Sequence, residues 1–420
     1  MSLPDPNPTD TDVAIVGGGP AGLACAIHLG LQGIRTTVLE ARDWPVDKVC
    51  GEGLMPTGVD ALRRMGALRY VPSDAVRPFR GISWHGESSV IASADFAHGS
   101  GLGIRRTGLS QALVHRCNTL PSVRLQSGTK VQTVHASPTR MTLTVIDAGR
   151  QSSLTAKLVI AADGRNSVVK RSLGHRGPPP LPHQRWGARL HFQCAPWSDR
   201  VEVYWGPNLE AYVTPSSNHR VEIAFLWRKG KYHPRRTGPA LCQGLLEEFP
   251  ALMARLDGAP LDPASRPRAV GPLACSSKKA FDDRCLYVGD ALGYGDGITG
   301  EGLSVAFAQA EAIGARLPGL LDLNKCSASD LATLGGEVHD IFKESLPLIK
   351  AALLLSDHPR LRRLALRGMS RSPRIFQHFL EANMGRRRLW ALPASGLPAF
   401  LIGLAKPAEP RALTIDPTMP

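Results

Sequence analysis

None of the eight cysteines forms a Cys-x-x-Cys pair, and no His-rich cluster accompanies them. That spacing argues against a disulfide scaffold and against a zinc site, and no metal is expected. The thiols read as the reduced cysteines of a cytoplasmic protein. No run of about 18 apolar residues occurs, so no transmembrane helix is expected. The start, Met1 to Thr11, is polar and proline-bearing, without the cationic and apolar stretches of a secretory signal. Helix-turn-helix, zinc-finger and RNA-binding motifs are all missing, so nucleic acid is not expected as a partner.

What is present suits a folded chain of more than one subdomain, since 420 residues exceed what a single core serves. Apolar content of 43% and charged content of 20% are ordinary for such a chain. Fifty Lys and Arg against 36 Asp and Glu leave a net charge of +14. That excess favours acidic partners such as a phosphorylated cofactor or anionic lipid.

The first chemistry-bearing motif opens almost at once. Asp12 to Val16 reads as a buried parallel strand. Gly17-Gly18-Gly19-Pro20-Ala21-Gly22 follows, then a helical stretch to Gln32, then a second strand from Ile34 to Leu39 that ends in Glu40-Ala41-Arg42. Gly17 permits a tight turn, Gly19 lets backbone approach a pyrophosphate, and Gly22 lets helix and strand pack closely. The helix start offers free N–H groups and a partial positive charge to phosphate. Glu40 stands 18 residues past Gly22, near the distance of about 20 at which an acid takes ribose hydroxyls. A dinucleotide cradle follows, with NAD and FAD both open at this point.

Two further motifs settle the matter for FAD. Leu158 to Ala162 is another strand, followed by Asp163-Gly164-Arg165. Leu286-Tyr287-Val288 leads into Gly289-Asp290, and the glycine-rich run to Thr299-Gly300-Glu301-Gly302-Leu303 opens an Ala-rich helix. Asp290 can accept hydrogen bonds from a ribityl chain, and the helix near Gly300 points its positive end at the negative edge of a reduced flavin.

These motifs resemble the FAD-dependent monooxygenase superfamily, the group A flavoprotein hydroxylases. They stand nearest its geranylgeranyl-reductase-like branch. The Gly17 to Gly22 loop with Glu40, the run Cys50-Gly51-Glu52-Gly53-Leu54, Asp163-Gly164, and Gly289-Asp290 through Leu303 carry the likeness. It implies an α/β fold: a Rossmann-type FAD-binding domain, an inserted antiparallel β-sheet substrate domain and a C-terminal helical region. The expected division assigns 1–75, 100–175 and 275–325 to the FAD domain, 76–99 and 176–274 to the sheet domain, and 326–420 to the helices. The resemblance implies FAD contacts from Pro20, Ala21, Ala41, Arg42, Cys50, Gly51, Arg106, Val131, Gly300, Glu301, Gly302 and Leu303 beside the residues above. Asp163-Gly164 would serve both FAD and a transient NAD(P)H. Cys50 is open between a redox or proton-donating role and a small thiol chosen for fit. Many relatives carry proline where Gly297 stands, so oxygen reactivity does not simply transfer.

A single cradle means that NAD(P)H, as electron donor, must visit rather than reside. The missing Cys-x-x-Cys excludes a disulfide reductase, and the absent W-x-W-x-I-P run disfavours halogenation. Strand-like alternation from 185 to 228 implies an antiparallel sheet with one covered face, and the resemblance implies that this sheet roofs the flavin and forms the substrate pocket. Trp186, Tyr204, Trp205, Tyr212, Phe225 and Trp227 could line its pocket, with Gly174 to Pro182 as the crossover. Residues 329–384 read as helical, and the basic, leucine-bearing stretch 358–404 suits peripheral membrane contact or a plain solvated face. The expected activity is hydroxylation of a lipophilic aromatic or polyketide-like molecule. The alternatives are saturation of an isoprenoid double bond and flavin binding without catalysis.

Overall fold

A computed structural model describes residues 9–86, 90–175, 184–276 and 279–405. The middle of the expected crossover, 176–182, lies outside the described residues. The central sheet grows from Thr11–Val16, every residue of which is buried except half-buried Asp12. Burial on both sheet faces is why this strand reads as a continuous apolar run. Thr36–Leu39 and Arg150–Ala161 flank it in parallel, and the order continues to Val123–Gln126 on one side and Cys285–Tyr287 on the other. Helix Pro20–Leu31 covers the sheet, and its Pro at the first turn costs no hydrogen bond because that N–H would be free anyway. The outer half of Arg150–Ala161 pairs antiparallel with Met141–Asp147, which pairs with Thr129–Ala136.

A second, seven-stranded sheet runs in the order Arg268–Val270, Arg185–Phe192, Arg220–Arg228, Leu209–Ser217, Val201–Gly206, Gly81–His85, Ile91–Asp95. It is antiparallel except that Val201–Gly206 and Gly81–His85 pair in parallel. The expectation of one covered face needs correcting: every residue from Val201 to Gly206 is buried. One face packs Tyr204, Phe225 and Trp227 against the short helices Leu241–Leu246 and Pro250–Leu256. The other face meets a core that includes Phe376, Leu380 and Met369 from the C-terminal helices. Burial does not alternate along Val201–Gly206 because helices cover both faces of the sheet.

The C-terminal part is helical over Ala328–Asp357, Pro359–Arg371, Pro373–Asn383 and Leu397–Ala405. No helix among the described residues is long and apolar enough to cross a membrane. Arg185 fastens these layers together. It pairs with Glu210 within the sheet, donates to Ser356 of the first C-terminal helix (3.1 Å), and ion-pairs with Asp296 of the glycine-rich loop (3.3 Å). All four side chains are buried, so the guanidinium is held by two carboxylates rather than by water. Removing one partner would strand a buried charge.

Candidate cofactor and substrate cavity

A cavity of about 910 Å³ runs from the first glycine loop to the C-terminal helices. Its polar end is built at the C-terminal ends of the parallel strands, where ligands bind in folds of this type. Gly17 has φ +106°, and a Cβ there would lie 2.4 Å from the Ala162 carbonyl oxygen. Only glycine fits. A Cβ on Gly22 would meet the Gly17 carbonyl oxygen at 2.0 Å, so this residue sets the close packing of helix on strand. Gly19 lines the cavity, and a Cβ there meets no protein atom within 4 Å.

Glu40 is 6% exposed and already organised. Its Oε2 accepts the Gly18 N–H at 2.8 Å and its Oε1 the Arg42 N–H at 3.1 Å. Trp44 Nε1 donates to the Gly18 carbonyl at 3.0 Å and closes the loop from the other side. Thr129 N–H donates to the Glu40 carbonyl at 2.9 Å, which brings Val131 and its strand to the same wall.

Of the residues expected to contact a cofactor, the structure gathers Gly17, Gly19, Pro20, Ala21, Glu40, Ala41 and Arg42 at one end of this cavity. Cys50, Gly51, Arg106, Val131, Asp163, Gly164, Gly289 and Asp290 follow along it, and Gly300, Gly302 and Leu303 close the series. Two stand apart. Gly22 is buried behind the loop, and Glu301 turns away from the cavity. Glu301 stands at the N-cap position of helix Gly302–Asp322 without a side-chain capping bond, and accepts from Asn383 Nδ2 at 3.1 Å. Asn383 also donates to the Thr299 carbonyl at 3.0 Å.

Burial raises the Glu301 carboxyl to about 8. Its proton is held more tightly folded than unfolded, so stability falls as pH rises from about 4.5 toward about 8. Glu301→Gln keeps an acceptor for Asn383 and carries no charge. Its melting temperature should match the parent near pH 4 and exceed it at pH 8. A parallel pair of Tm-against-pH curves would show that Glu301 ionises normally.

Asp163 supports the short helix Val168–Ser172, since its Oδ2 accepts the Val168 N–H at 2.7 Å. Its Oδ1 is buried without a partner, and burial raises its pKa. That orphaned oxygen on the cavity wall is an acceptor awaiting a donor. Asp290 is met by Lys48, whose Nζ lies 2.6 Å from Oδ2. Lys48 lines the cavity and went unnoticed in the sequence, because a lone lysine 242 residues away carries no signal of proximity. Gln309 fixes this corner by accepting the Gly289 N–H at 2.8 Å.

The Cys50–Leu54 run crosses the cavity beneath the seven-stranded sheet. Glu52 has φ 48° and is 1% exposed. That backbone costs a non-glycine residue about 1–2 kcal/mol. It is held by the Arg106 N–H on Oε1 (2.9 Å) and His191 Nε2 on Oε2 (2.9 Å). Glu222 approaches the same pair, forming a group with metal-ligand chemistry. Arg189 lies 3.9 Å from Glu222 and Arg105 also faces Glu52, but both Glu222 carboxyl oxygens are buried without a hydrogen-bond partner among the described residues, and burial beside Glu52 holds that carboxyl well above the usual carboxylate range. Thr214 Oγ1 donates to the Gly51 carbonyl at 2.9 Å and pins the run to the sheet.

The far end is an apolar chamber. Phe79, Trp84 and Leu226 come from the sheet side, and Met369, Phe376 and Phe400 from the helices. Of six aromatics expected there, Tyr212 lines it, while Phe225 borders the cavity but packs its ring against Phe249 on the opposite face. Tyr204 and Trp227 pack on the opposite face, Trp186 lies beside them, and Trp205 packs edge-on against Trp84 in the core. Gly297 also lines the chamber, and a Cβ there would stand 3.1 Å from the Tyr294 hydroxyl.

FAD fits what the residues offer. The glycine loop leaves open space at a helix start, Glu40 lines the cavity beside it, and Asp163 presents an unpaired oxygen. The model of the FAD binding domain family matches residues 10–321. The chain is 26% identical over 342 residues to the conditioned medium factor receptor 1 of Dictyostelium discoideum, covering 76% of this chain and 65% of that protein. It is 26% identical over 322 residues to the para-nitrophenol 4-monooxygenase of Pseudomonas sp. strain WBC-3, covering 71% and 75%. It is 30% identical over 181 residues to the menaquinone reductase of Mycolicibacterium smegmatis, covering 40% of each chain. A flavoprotein/dehydrogenase structure from Cytophaga hutchinsonii shares the fold, with a TM-score of 0.78, 18% identity, and 93% and 99% coverage. With the cradle, the ribose acid and the family match all lying within residues 10–321, the chain belongs to the FAD binding domain family, a flavoprotein of the oxidoreductase class.

Proposed function

We propose that the protein is an NAD(P)H-dependent flavin monooxygenase that hydroxylates a lipophilic aromatic or polyketide-like small molecule. The observation that carries this reading is the joining of a polar cradle to an apolar chamber within a single cavity. Bound FAD would supply electron transfer and activation of oxygen. Glu40 and the Gly17–Gly22 loop would hold its adenosine and pyrophosphate, and Asp290 with Lys48 its ribityl side. The start of helix Gly302–Asp322 turns its positive end toward the chamber and favours developing negative charge there. Phe376, Met369 and Leu226 exclude water and orient an apolar substrate. NAD(P)H would approach from the Asp163-Gly164 side, since the cradle is single. The para-nitrophenol monooxygenase relative supports an oxygen-inserting reading.

A second reading, saturation of an isoprenoid double bond, is favoured by the Thr299–Gly302 run and by the menaquinone reductase relative. The deciding experiment supplies the holoenzyme with NADH or NADPH, a panel of lipophilic metabolites and labelled oxygen gas. Product carrying one labelled oxygen atom is expected. Product that gains two hydrogens equally well without oxygen would replace hydroxylation by reduction. No product and no consumption of NAD(P)H would leave flavin binding without catalysis.

A further inference from the structure

From 358 to 405 the chain carries nine arginines and one acid, Glu381, which is buried. Helix Pro359–Arg371 turns Leu366 and Met369 inward and leaves Leu361 and Leu364 each 40% exposed. Arg360 and Arg363 flank these leucines, are exposed, and have no ion-pair partner among the described residues. Helix Leu397–Ala405 crosses this helix closely: a Cβ on Gly403 would meet the Arg367 carbonyl oxygen at 2.5 Å. It turns Phe400 into the chamber and leaves Leu401 at 58% and Ile402 at 49% exposure. Trp390 is 77% exposed on the segment that joins the helical pair to the last helix, beside exposed Arg387 and Arg388.

A single exposed leucine is unremarkable on any protein surface. Here exposed apolar side chains stand on two packed helices that also wall the chamber, and the first of the two adds unpaired Arg360 and Arg363. Leu354, 49% exposed, lines the same cavity and marks its opening.

We propose that this face docks on an anionic lipid bilayer, with the chamber opening turned toward it. Leu361, Leu364, Leu401 and Ile402 would enter the headgroup boundary, and Trp390 suits the interface. The arginines would meet lipid phosphate, for which their planar forks are matched. With 13 and nine residues the helices are too short to span and suit lying on the surface. A second copy is a poorer occupant, because two faces bearing arginines and no exposed acid repel one another. That an apolar substrate enters the chamber from the bilayer rests on the proposed function; the docking does not.

The test incubates the flavin-loaded protein with vesicles of phosphatidylcholine alone or mixed with phosphatidylglycerol, then sediments them. Binding to the phosphatidylglycerol vesicles at low salt, weakened as salt screens the charges, is expected, with little binding to phosphatidylcholine alone. The double variant Arg360→Glu/Arg363→Glu should bind roughly tenfold more weakly or worse. Leu401→Ser/Ile402→Ser should weaken binding too, with its flavin absorbance intact as proof of folding. Absence of binding to anionic vesicles at low salt overturns the proposal. So does undiminished binding by both variants, or sedimentation that needs no vesicles. No turnover is read, so failure of the hydroxylase reading leaves this result untouched.

Discussion

Gly19→Val is expected to fold, to melt near the parent apoprotein, and to purify colourless where the parent is yellow. Gly19 has φ −76° and ψ 178°, an extended conformation that valine adopts readily. No protein atom lies within 4 Å of the added Cβ, so nothing in the chain must shift. The branched side chain would instead occupy the space that a pyrophosphate needs against the start of helix Pro20–Leu31. Flavin affinity should fall at least about a thousandfold, roughly 4 kcal/mol. Flavin content measured by absorbance after purification is the readout, with thermal unfolding as the control. A fully loaded Gly19→Val protein would place the phosphates elsewhere.

Glu40→Ala should weaken FAD by about 2–4 kcal/mol, since a carboxylate accepting from ribose hydroxyls makes charge-assisted bonds. The structure adds a second reason for a large effect. The same carboxylate holds the Gly18 and Arg42 N–H groups, so alanine also releases the loop that shapes the cradle. Glu40→Gln retains one acceptor and should lose less, about 1–2 kcal/mol. Titration of apoprotein with FAD, followed by flavin fluorescence, measures both. Equal affinity in the parent and the alanine variant would mean that the adenosine does not lie against Glu40.

The cradle was legible because its information is local. Gly17, Gly19 and Gly22 lie within six residues, and strand, helix and acid follow in order, so no distant contact is needed to read them. The strands of the second sheet were legible by alternation, but alternation separates two faces without saying which faces the cavity. That is why Tyr212 was placed correctly and Tyr204 and Trp227 were not. Glu301 shows a related limit. It sits inside a glycine-rich run that lines the cavity on either side, yet the turn into helix Gly302–Asp322 carries its side chain toward Asn383 instead. The chamber walls were illegible altogether. Phe376, Leu380 and Met369 have the spacing of any amphipathic helix, and only the packed structure shows that an open space lies among them. The Lys48–Asp290 pair and the links from Arg185 to Asp296 and Ser356 join residues more than a hundred positions apart, for which pattern alone offers nothing.

The family match ends at residue 321, whereas Leu348, Met369, Phe376 and Phe400 all belong to the chain beyond it. One wall of the chamber is thus written in one contiguous tail, while the facing wall and the cradle are written before that tail begins. Such a division would let one wall be exchanged while the cradle is inherited unchanged. A donor segment replacing 328–405 would have to keep its fastenings to the rest of the chain, among them the serine at 356 that meets Arg185, the aspartate at 357 that meets Arg228, the glutamate at 381 that meets the Ala97 N–H, and the asparagine at 383 that holds Thr299 and Glu301.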